Sequence, residues 1–394
     1  MIVPESVWPS AAGLRHLVAG RLFLCGRAGA RAREVVFLAA FHAMESSHLH
    51  ACRARSRGAI AALLAALLLA VALAPATARA CDVCAIYSAT EYRDARRGLR
   101  LGVAEQFTDY GTLYVNGQET ANVGDQQLRS SITQFFASYN FLPTLSAQLT
   151  LPYIYRKYRR VEGGDKVVDG NVNGIGDMSL LGRWTAWSHV DEEMVLRFTL
   201  LGGVKFPTGS SSELEEEALE GGDEENLPAG LARPAHGAVD PGGGVPNAIG
   251  GDNLTLGSGS YDGIVGGSFF WSWNRLFLSM IGQYSIRSTG SFDYRFANSL
   301  FWFVGPGAYL ITDHAYTLAL QGVVSGDTKG NDRVGDDVVE GSAETDVFCG
   351  PALGFTWESN LAAEVAVDIP FVRSASGVAL VPDYRIRAAL SWQF

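Results

Sequence analysis

The end of the chain alternates between apolar and polar positions. In YRIRAALSWQF, residues 384–394, every second residue from Tyr384 to Phe394 is apolar, and Arg385 and Arg387 lie between them. Successive side chains of a β-strand point to opposite faces, so this alternation predicts a strand with one apolar face. The segments MVLRFTLLGGVKFP (194–207) and RLFLSMIGQYSIRS (275–288) show the same pattern and predict two more strands.

Runs of this kind recur about twelve times after residue 97, and helical spacing is nearly absent. An even number of antiparallel strands is typical of bacterial transmembrane barrels. We predict strands near 98–108, 129–140, 145–157, 176–188, 194–207, 260–272, 275–288, 293–311, 316–326, 343–357, 361–372 and 384–394.

The predicted connections alternate between short and long, with 289–292 as a brief exception. Short turns on one side and long loops on the other are typical of outer-membrane barrels with both termini in the periplasm. The short turns are 141–144, 189–193, 273–274, 312–315 and 358–360, and the long loops are 109–128, 158–175, 208–259, 327–342 and 373–383.

A soluble β-sandwich or lipocalin-like barrel would also alternate, but it would turn its apolar face inward. Strands of ten or more residues match a tilted membrane crossing of ~9–11 residues better than a globular strand of ~5–6 residues. Aromatic residues also collect near strand ends, where an interfacial girdle lies. We therefore predict an all-β fold, a transmembrane antiparallel up-and-down β-barrel of about 12 strands over residues 98–394. The girdle candidates are Trp184, Trp187, Trp271, Trp273, Trp392 and Phe394.

An uncharged apolar run, AIAALLAALLLAVALAP (59–75), follows a group of arginines and precedes Ala78-Arg79-Ala80. This layout predicts a cleaved signal peptide over 44–80, because a membrane anchor would need ~20 apolar residues. Met44 begins an ordinary basic n-region, so residues 1–43 are predicted to be a non-native N-terminal extension. Residues 81–97 would then form a periplasmic tail. Because the chain is secreted and forms a transmembrane barrel, we predict that it lies in the bacterial outer membrane.

The formal charge of −10 argues against a nucleic-acid partner, since phosphate binding requires a basic patch. We expect the partners to be outer-membrane lipid and lipopolysaccharide. The long loop 208–259 contains the acidic run SSSELEEEALEGGDEEN. Such a run is typical of a solvated surface segment. The alternative is that its carboxylates bridge divalent ions to lipopolysaccharide.

Cysteine is sparse, which excludes a disulfide-rich scaffold. Cys81 and Cys84 form a Cys-x-x-Cys pair at the predicted mature N-terminus. No second Cys/His pair completes a zinc site, and no His follows Cys84 as c-type haem attachment would require. The pair is predicted to be a periplasmic disulfide or a contact for a redox protein. Cys349, on the apolar parity of its strand, is interpreted as a small hydrophobe. We predict no cofactor and no metal.

Charged residues on the inward parity are the candidate lining of the lumen. Their mixed signs would either line a water path or pair with each other and plug the barrel. Glu105 instead falls on the apolar parity, which predicts a bulge or a rim position. The candidate lumen residues are Asp177, Arg183, Arg197, Lys205, Asp262, Arg287, Glu364, Asp368, Arg385 and Arg387.

Three segments, FLPTLSAQLTLPYIY (141–155), NGIGDMSLLGRWTAW (173–187) and LLGGVKFPTG (200–209), resemble the outer-membrane transporter family associated with the meta-pathway of phenol degradation. The resemblance covers about residues 130–394 and implies uptake or diffusion of small, often aromatic molecules. The last residues, LSWQF, resemble those of outer-membrane proteins whose terminal Phe is read by the barrel-assembly machinery. Trp392 and Phe394 are therefore the predicted assembly signal, with that machinery as a partner.

No arrangement of residues predicts catalysis, because the three histidines after the signal lie in predicted turns or in the long loop and no Ser/His/acid motif accompanies them. We predict no enzyme activity and no catalytic residue. The predicted function is a passive channel for small, aromatic or weakly polar solutes. The alternative is a plugged, structural or partner-binding barrel whose Cys-x-x-Cys tail docks a redox or metal-handling protein.

Overall fold

The computed structural model describes residues 97–162, 166–216, 246–358 and 360–394. Most of this part of the chain is β-strand, with a short helix, α1 (Gly251–Leu254), a helical stretch at residues 214–216 and a 3₁₀ turn at Ser291–Asp293. The strands are β1 (Gly98–Val115), β2 (Gln118–Thr120), β3 (Gln127–Leu142), β4 (Leu145–Glu162), β5 (Lys166–Ile175), β6 (Ser179–Val190), β7 (Met194–Lys205), β8 (Asp262–Trp273), β9 (Leu276–Ile286), β10 (Tyr294–Arg295), β11 (Ser299–Thr312), β12 (Tyr316–Lys329), β13 (Arg333–Val334), β14 (Asp337–Val338), β15 (Glu344–Trp357), β16 (Leu361–Ala375) and β17 (Val378–Gln393).

The main sheet closes on itself because β1 pairs with both β3 and β17. Around the circle the order is β1, β3, β4, β6, β7, β8, β9, β11, β12, β15, β16 and β17, and every pairing is antiparallel. β5 occupies the same position as β6 farther along β4, and β2 is an appendage of β1. The fold is therefore a closed antiparallel barrel of twelve strands, as the sequence predicts.

The two faces of the wall have opposite character. Phe135, Leu149 and Val365 point outward and are 52%, 41% and 54% exposed, whereas inward-facing Gln106 and Gln134 are buried. A soluble protein would show the reverse distribution. The apolar outer face therefore matches the hydrocarbon of a lipid bilayer, and the exposed Trp184, Trp187, Trp273, Trp357 and Trp392 lie near the strand ends of one rim, where an aromatic girdle belongs.

That rim also carries the short connections and both ends of the barrel. The turns are residues 143–144, 191–193, 274–275, 313–315 and 358–360, and the Phe394 N–H donates to the Leu99 carbonyl at 2.8 Å. In the turn between β6 and β7, Asp191 accepts hydrogen bonds from the backbone N–H of Glu193 and Met194 at 2.9 and 2.7 Å, which lower the pKa of its carboxyl group. No helix in the described residues is long and apolar enough to span a bilayer.

Several predicted loops are largely strand. β1 continues to Val115, β4 continues to Glu162, β5 fills most of the predicted 158–175 loop, and β16 and β17 are joined by residues 376–377 alone. These extensions lie beyond the apolar band, so they carry no clear alternation in the sequence. The opposite error occurs at 293–298, where the predicted strand is absent from the barrel and Tyr294–Arg295 pairs with β13 in a separate small sheet.

The predictions for the N-terminus concern residues outside the described part of the chain. These are the 1–43 extension, the 44–80 signal peptide, and the tail with Cys81 and Cys84 up to residue 96. Residues 217–245 of the long loop also lie outside it. All of these remain predictions.

Candidate functional site

The second half of the long loop folds into the mouth of the barrel. We call residues 246–261 the inward segment. Ala248, Ile249 and Leu254 are 1%, 0% and 0% exposed. They pack against a cluster on the upper parts of three strands, formed by Tyr110, Leu113, Leu128, Val378 and Leu380. The sequence left open whether this loop turns inward, and the hydrophobic contacts show that the inward segment does.

Buried polar side chains of the wall, among them Gln126 and Arg156, hold the inward segment in place. Gln126 donates from Nε2 to the Pro246 carbonyl at 2.9 Å and accepts at Oε1 from the Ala248 N–H at 3.0 Å. Arg156 donates from Nη1 to the Thr255 carbonyl at 2.7 Å. Buried backbone groups need partners of this kind, so the segment is fastened at both ends of α1.

Four of the predicted lumen residues form an ion cluster beside the inward segment, which we call the upper cluster. Lys205 Nζ lies 2.6 Å from Asp177 Oδ2 and 2.8 Å from Asp262 Oδ2, and Arg287 Nη1 lies 2.8 Å from Asp262 Oδ2. Asp177 also accepts from the Ser258 N–H at 2.9 Å. The upper cluster therefore links β7, β8 and the β9 end to the inward segment.

Four more predicted residues form the lower cluster, on the wall made by β16 and β17. Asp368 is fully buried and lies 3.0 Å from Arg385 Nε and 2.7 Å from Arg387 Nε. Arg387 Nη1 is 4.0 Å from Glu364 Oε1. Arg385 reaches β12 through Ser325 Oγ at 2.8 Å, and its guanidinium lies 3.9 Å from the centre of the Phe348 ring. These contacts join four neighbouring strands inside the barrel.

The remaining wall carries an inner apolar patch that the sequence analysis did not identify. Phe301 and Phe303 on β11 are 3% and 2% exposed although they occupy inward positions. A signal was present in SLFWFVG (299–305), because a run that is apolar at both parities indicates a strand buried on both faces. The other buried members of the inner apolar patch are Leu181, Leu201, Ile281, Val323, Ala352 and Ala366.

The described residues enclose cavities at both ends of the barrel. The mouth cavity, about 230 Å³, is bounded by the inward segment and by wall residues that include Lys329 and Asp346. At the short-turn end, one cavity of about 90 Å³ is lined by Arg183 and Arg197, and another of about 350 Å³ is lined by Tyr309 and other residues. Arg183 and Arg197 therefore lie apart from both ion clusters, and the other eight predicted residues lie within them.

Glu105 lies on the outer face in a regular part of the ladder, since the register shifts of β1 fall at Asp109–Tyr110 and Tyr110–Thr112. The predicted bulge at Glu105 is therefore wrong. Its carboxylate accepts hydrogen bonds from Ser131 Oγ and Thr133 Oγ1 on β3, both at 2.5 Å. These donors belong to a neighbouring strand, so only the register reveals them.

Three other singled-out residues also face outward. Cys349 on β15 is exposed, and Trp392 and Phe394 are 45% and 69% exposed at the end of the chain. No group of three or more potential metal ligands occurs among the residues that the structure describes.

A closed barrel with an apolar outer band and a charged interior is a transmembrane β-barrel of the outer-membrane type. Neither a family model nor a curated protein matches the sequence. Among solved structures, the chain is similar to an outer-membrane channel from Pseudomonas putida F1, with 13% identity over 78% of this chain and 99% of that chain and a TM-score of 0.49. It is also similar to the β domain of a Bordetella autotransporter (10% identity, 76% and 100% coverage, TM-score 0.39) and to the toluene transporter of Ralstonia pickettii (9%, 76% and 89%, TM-score 0.32). At these values the likenesses identify no family, and the phenol-pathway resemblance stays a prediction.

Proposed function

We propose that the protein is a passive outer-membrane channel for small, aromatic or weakly polar solutes. The observation that carries the proposal is that cavities lie inside the closed wall at both ends of the lumen. The mouth cavity lies beneath the inward segment, and the two others open at the short-turn end. A solute that crosses would pass between the mouth cavity and the cavities at the short-turn end, alongside the lower cluster and the inner apolar patch.

The lining favours solutes with both apolar and polar parts. The mouth cavity is bordered by apolar side chains such as Leu128 and Ile154 and by charged ones such as Asp346 and Lys329. Apolar walls with a few placed polar groups are the usual composition of small-molecule sites. We also propose that the protein belongs to the phenol-pathway transporter family, whose resemblance implies aromatic solutes. We propose further that it has no enzyme activity. Lipid, lipopolysaccharide and the barrel-assembly machinery are the proposed partners.

Liposome swelling tests the proposal. The purified barrel is reconstituted into vesicles, which are then diluted into iso-osmotic solutions of sugars of increasing size and of a small phenolic compound. We expect swelling with the smallest solutes and a loss of swelling as size increases. Vesicles that contain heat-denatured protein provide the control. Swelling equal to that control for every solute, from barrels that resist unfolding on an unboiled gel, would contradict the channel.

A second candidate function is a plugged barrel that binds a periplasmic partner. The packing of Ile249 and Leu254 in the mouth and the paired charges of the lower cluster favour it, because both fill the lumen. The docking residues would be Cys81 and Cys84. Affinity purification with wild type and with the Cys81→Ser/Cys84→Ser double variant tests this function. Recovery of the same proteins with both would rule out docking through these cysteines.

A further inference from the structure

The short-turn end of the lumen separates positive from negative side chains. The smaller cavity there, which we call the arginine cavity, is lined by Arg100, Arg183 and Arg197, and none of its lining residues is a carboxylate. The larger cavity is lined by Asp313, Glu358 and Glu364 and by no Lys or Arg. The two sets lie on different arcs of the barrel, β1 to β8 and β9 to β16. The lining of the arginine cavity is therefore the one that attracts anions.

Hydroxyl groups form the floor of the arginine cavity. Thr185 on β6 and Thr199 on β7 are directly paired, with their Oγ1 atoms 3.3 Å apart. Ser268 on β8 pairs with Thr199 on the other side and is also buried. Hydroxyl groups donate hydrogen bonds to oxyanions, so the floor supplies neutral donors beside the cationic ones.

The arginines lie next to these hydroxyls along the same strands. Arg183 is two residues from Thr185, and Arg197 is two residues from Thr199, so each arginine shares the inward face with its threonine. Arg100 enters from β1, where its Nε donates to Gln393 Oε1 at 3.1 Å. All three arginine residues are half-buried. Guanidinium binds carboxylate and phosphate through two parallel hydrogen bonds, and shielding strengthens such pairs.

We propose that the arginine cavity is a binding subsite for a small oxyanion, a carboxylate or a phosphate group. The volume of about 90 Å³ admits a small anionic group. As part of a transport path, the subsite rests on the proposed channel function and would make the short-turn end selective for anionic solutes. Binding itself does not depend on transport, so the two are tested separately.

The first test is ligand-dependent thermal unfolding of the intact barrel in detergent. Acetate and inorganic phosphate are the probes, each at ionic strength matched with potassium chloride, whose anion is not an oxyanion. We expect either probe to raise the Tm of wild type, since a ligand that binds only the folded state stabilises it. Arg183→Gln/Arg197→Gln should weaken the apparent affinity ~tenfold or more, the loss expected for one charge-assisted hydrogen bond. A response to one probe alone identifies the ligand as a carboxylate or as a phosphate.

Two variants serve as controls in the same experiment. Arg275→Gln removes a charge from the exposed turn between β8 and β9, outside the cavity, and should respond as wild type does. Arg183→Lys/Arg197→Lys keeps the charge and should recover part of the affinity, which excludes a folding defect as the cause. The same rise of Tm in wild type and in the glutamine variant would overturn the subsite.

The second test is the reversal potential of reconstituted barrels under a potassium chloride gradient. We expect anion preference in wild type and a shift toward cations in Arg183→Gln/Arg197→Gln, with Arg275→Gln close to wild type. Conducting barrels whose selectivity is the same in wild type and in both variants would overturn the role of the subsite in selectivity while leaving the channel intact. Barrels that do not conduct would instead overturn the proposed function, and the Tm experiment would then decide the subsite.

Discussion

At the scale of single residues, the interior depends on how buried charges are compensated. Asp368 on β16 contacts the guanidinium groups of Arg385 and Arg387 on β17, and all three residues are buried. Its carboxylate therefore neutralises positive charge that bulk water does not reach. Removing one partner of a buried ion pair leaves the other charge uncompensated, which costs more than the pair contributes. The lower cluster therefore tolerates no loss of its central carboxylate.

Asp368→Asn is expected to lower the free energy of unfolding by ~3–5 kcal/mol, because Arg385 and Arg387 would lose the charge that they share. Guanidinium-induced unfolding of the barrel in lipid vesicles measures the change. Glu192→Gln, in an exposed turn at the rim, is the matched control and should change it by about 0.5 kcal/mol or less. Equal stability of the two variants would contradict the assigned role of Asp368.

Gly350 on β15 is a second residue whose identity is dictated by its neighbour. A Cβ atom at Gly350 would clash with the Val367 carbonyl oxygen on β16. Gly350→Ala should therefore force β15 and β16 apart and reduce the fraction of folded barrel, measured by migration on an unboiled gel. Gly322→Ala, where a Cβ would have nothing within 4 Å, should fold as wild type does. Folding of both variants to the same extent would show that the space between β15 and β16 accommodates a methyl group at Gly350.

At the scale of elements, the alternation of apolar and polar residues predicts the twelve strands well within the membrane band. It fails in the part of β4 that pairs with β5, where the two faces of the strand have similar surroundings. It also fails at Phe301 and Phe303, which are apolar although they face the lumen. Alternation assigns ten charged residues to the inward parity of the predicted strands, but it does not group them. Their division into two clusters and the arginine cavity could not be predicted, because the pairing register and the inward segment bring these side chains together.

The inward segment is the element most open to a direct test. Gln126→Ala removes both hydrogen bonds to Pro246 and Ala248, so the segment should leave the mouth more often. We expect faster cleavage within residues 246–261 by an added protease. Gln127→Ala is the control, because Gln127 donates to Asp109 and not to the segment. Equal cleavage rates in both variants would show that Gln126 does not fasten the segment.

At the scale of the whole molecule, a closed wall surrounds an interior that is neither an open pore nor a packed core. The inward segment, the two ion clusters and the inner apolar patch occupy part of the lumen, and cavities lie at both of its ends. A twelve-stranded barrel is intermediate between filled eight-stranded and open sixteen-stranded barrels, so its side chains and loops decide whether solutes pass.

The central claim is that solutes pass through this lumen, and conductance across a planar lipid bilayer tests it most directly. The account predicts discrete current steps when the purified, folded barrel inserts, and larger or longer steps with Gln126→Ala, whose inward segment is less firmly held. A protein-free bilayer with the same detergent sets the background. Folded barrels that insert and give no current above that background, for wild type and for Gln126→Ala, would contradict the channel.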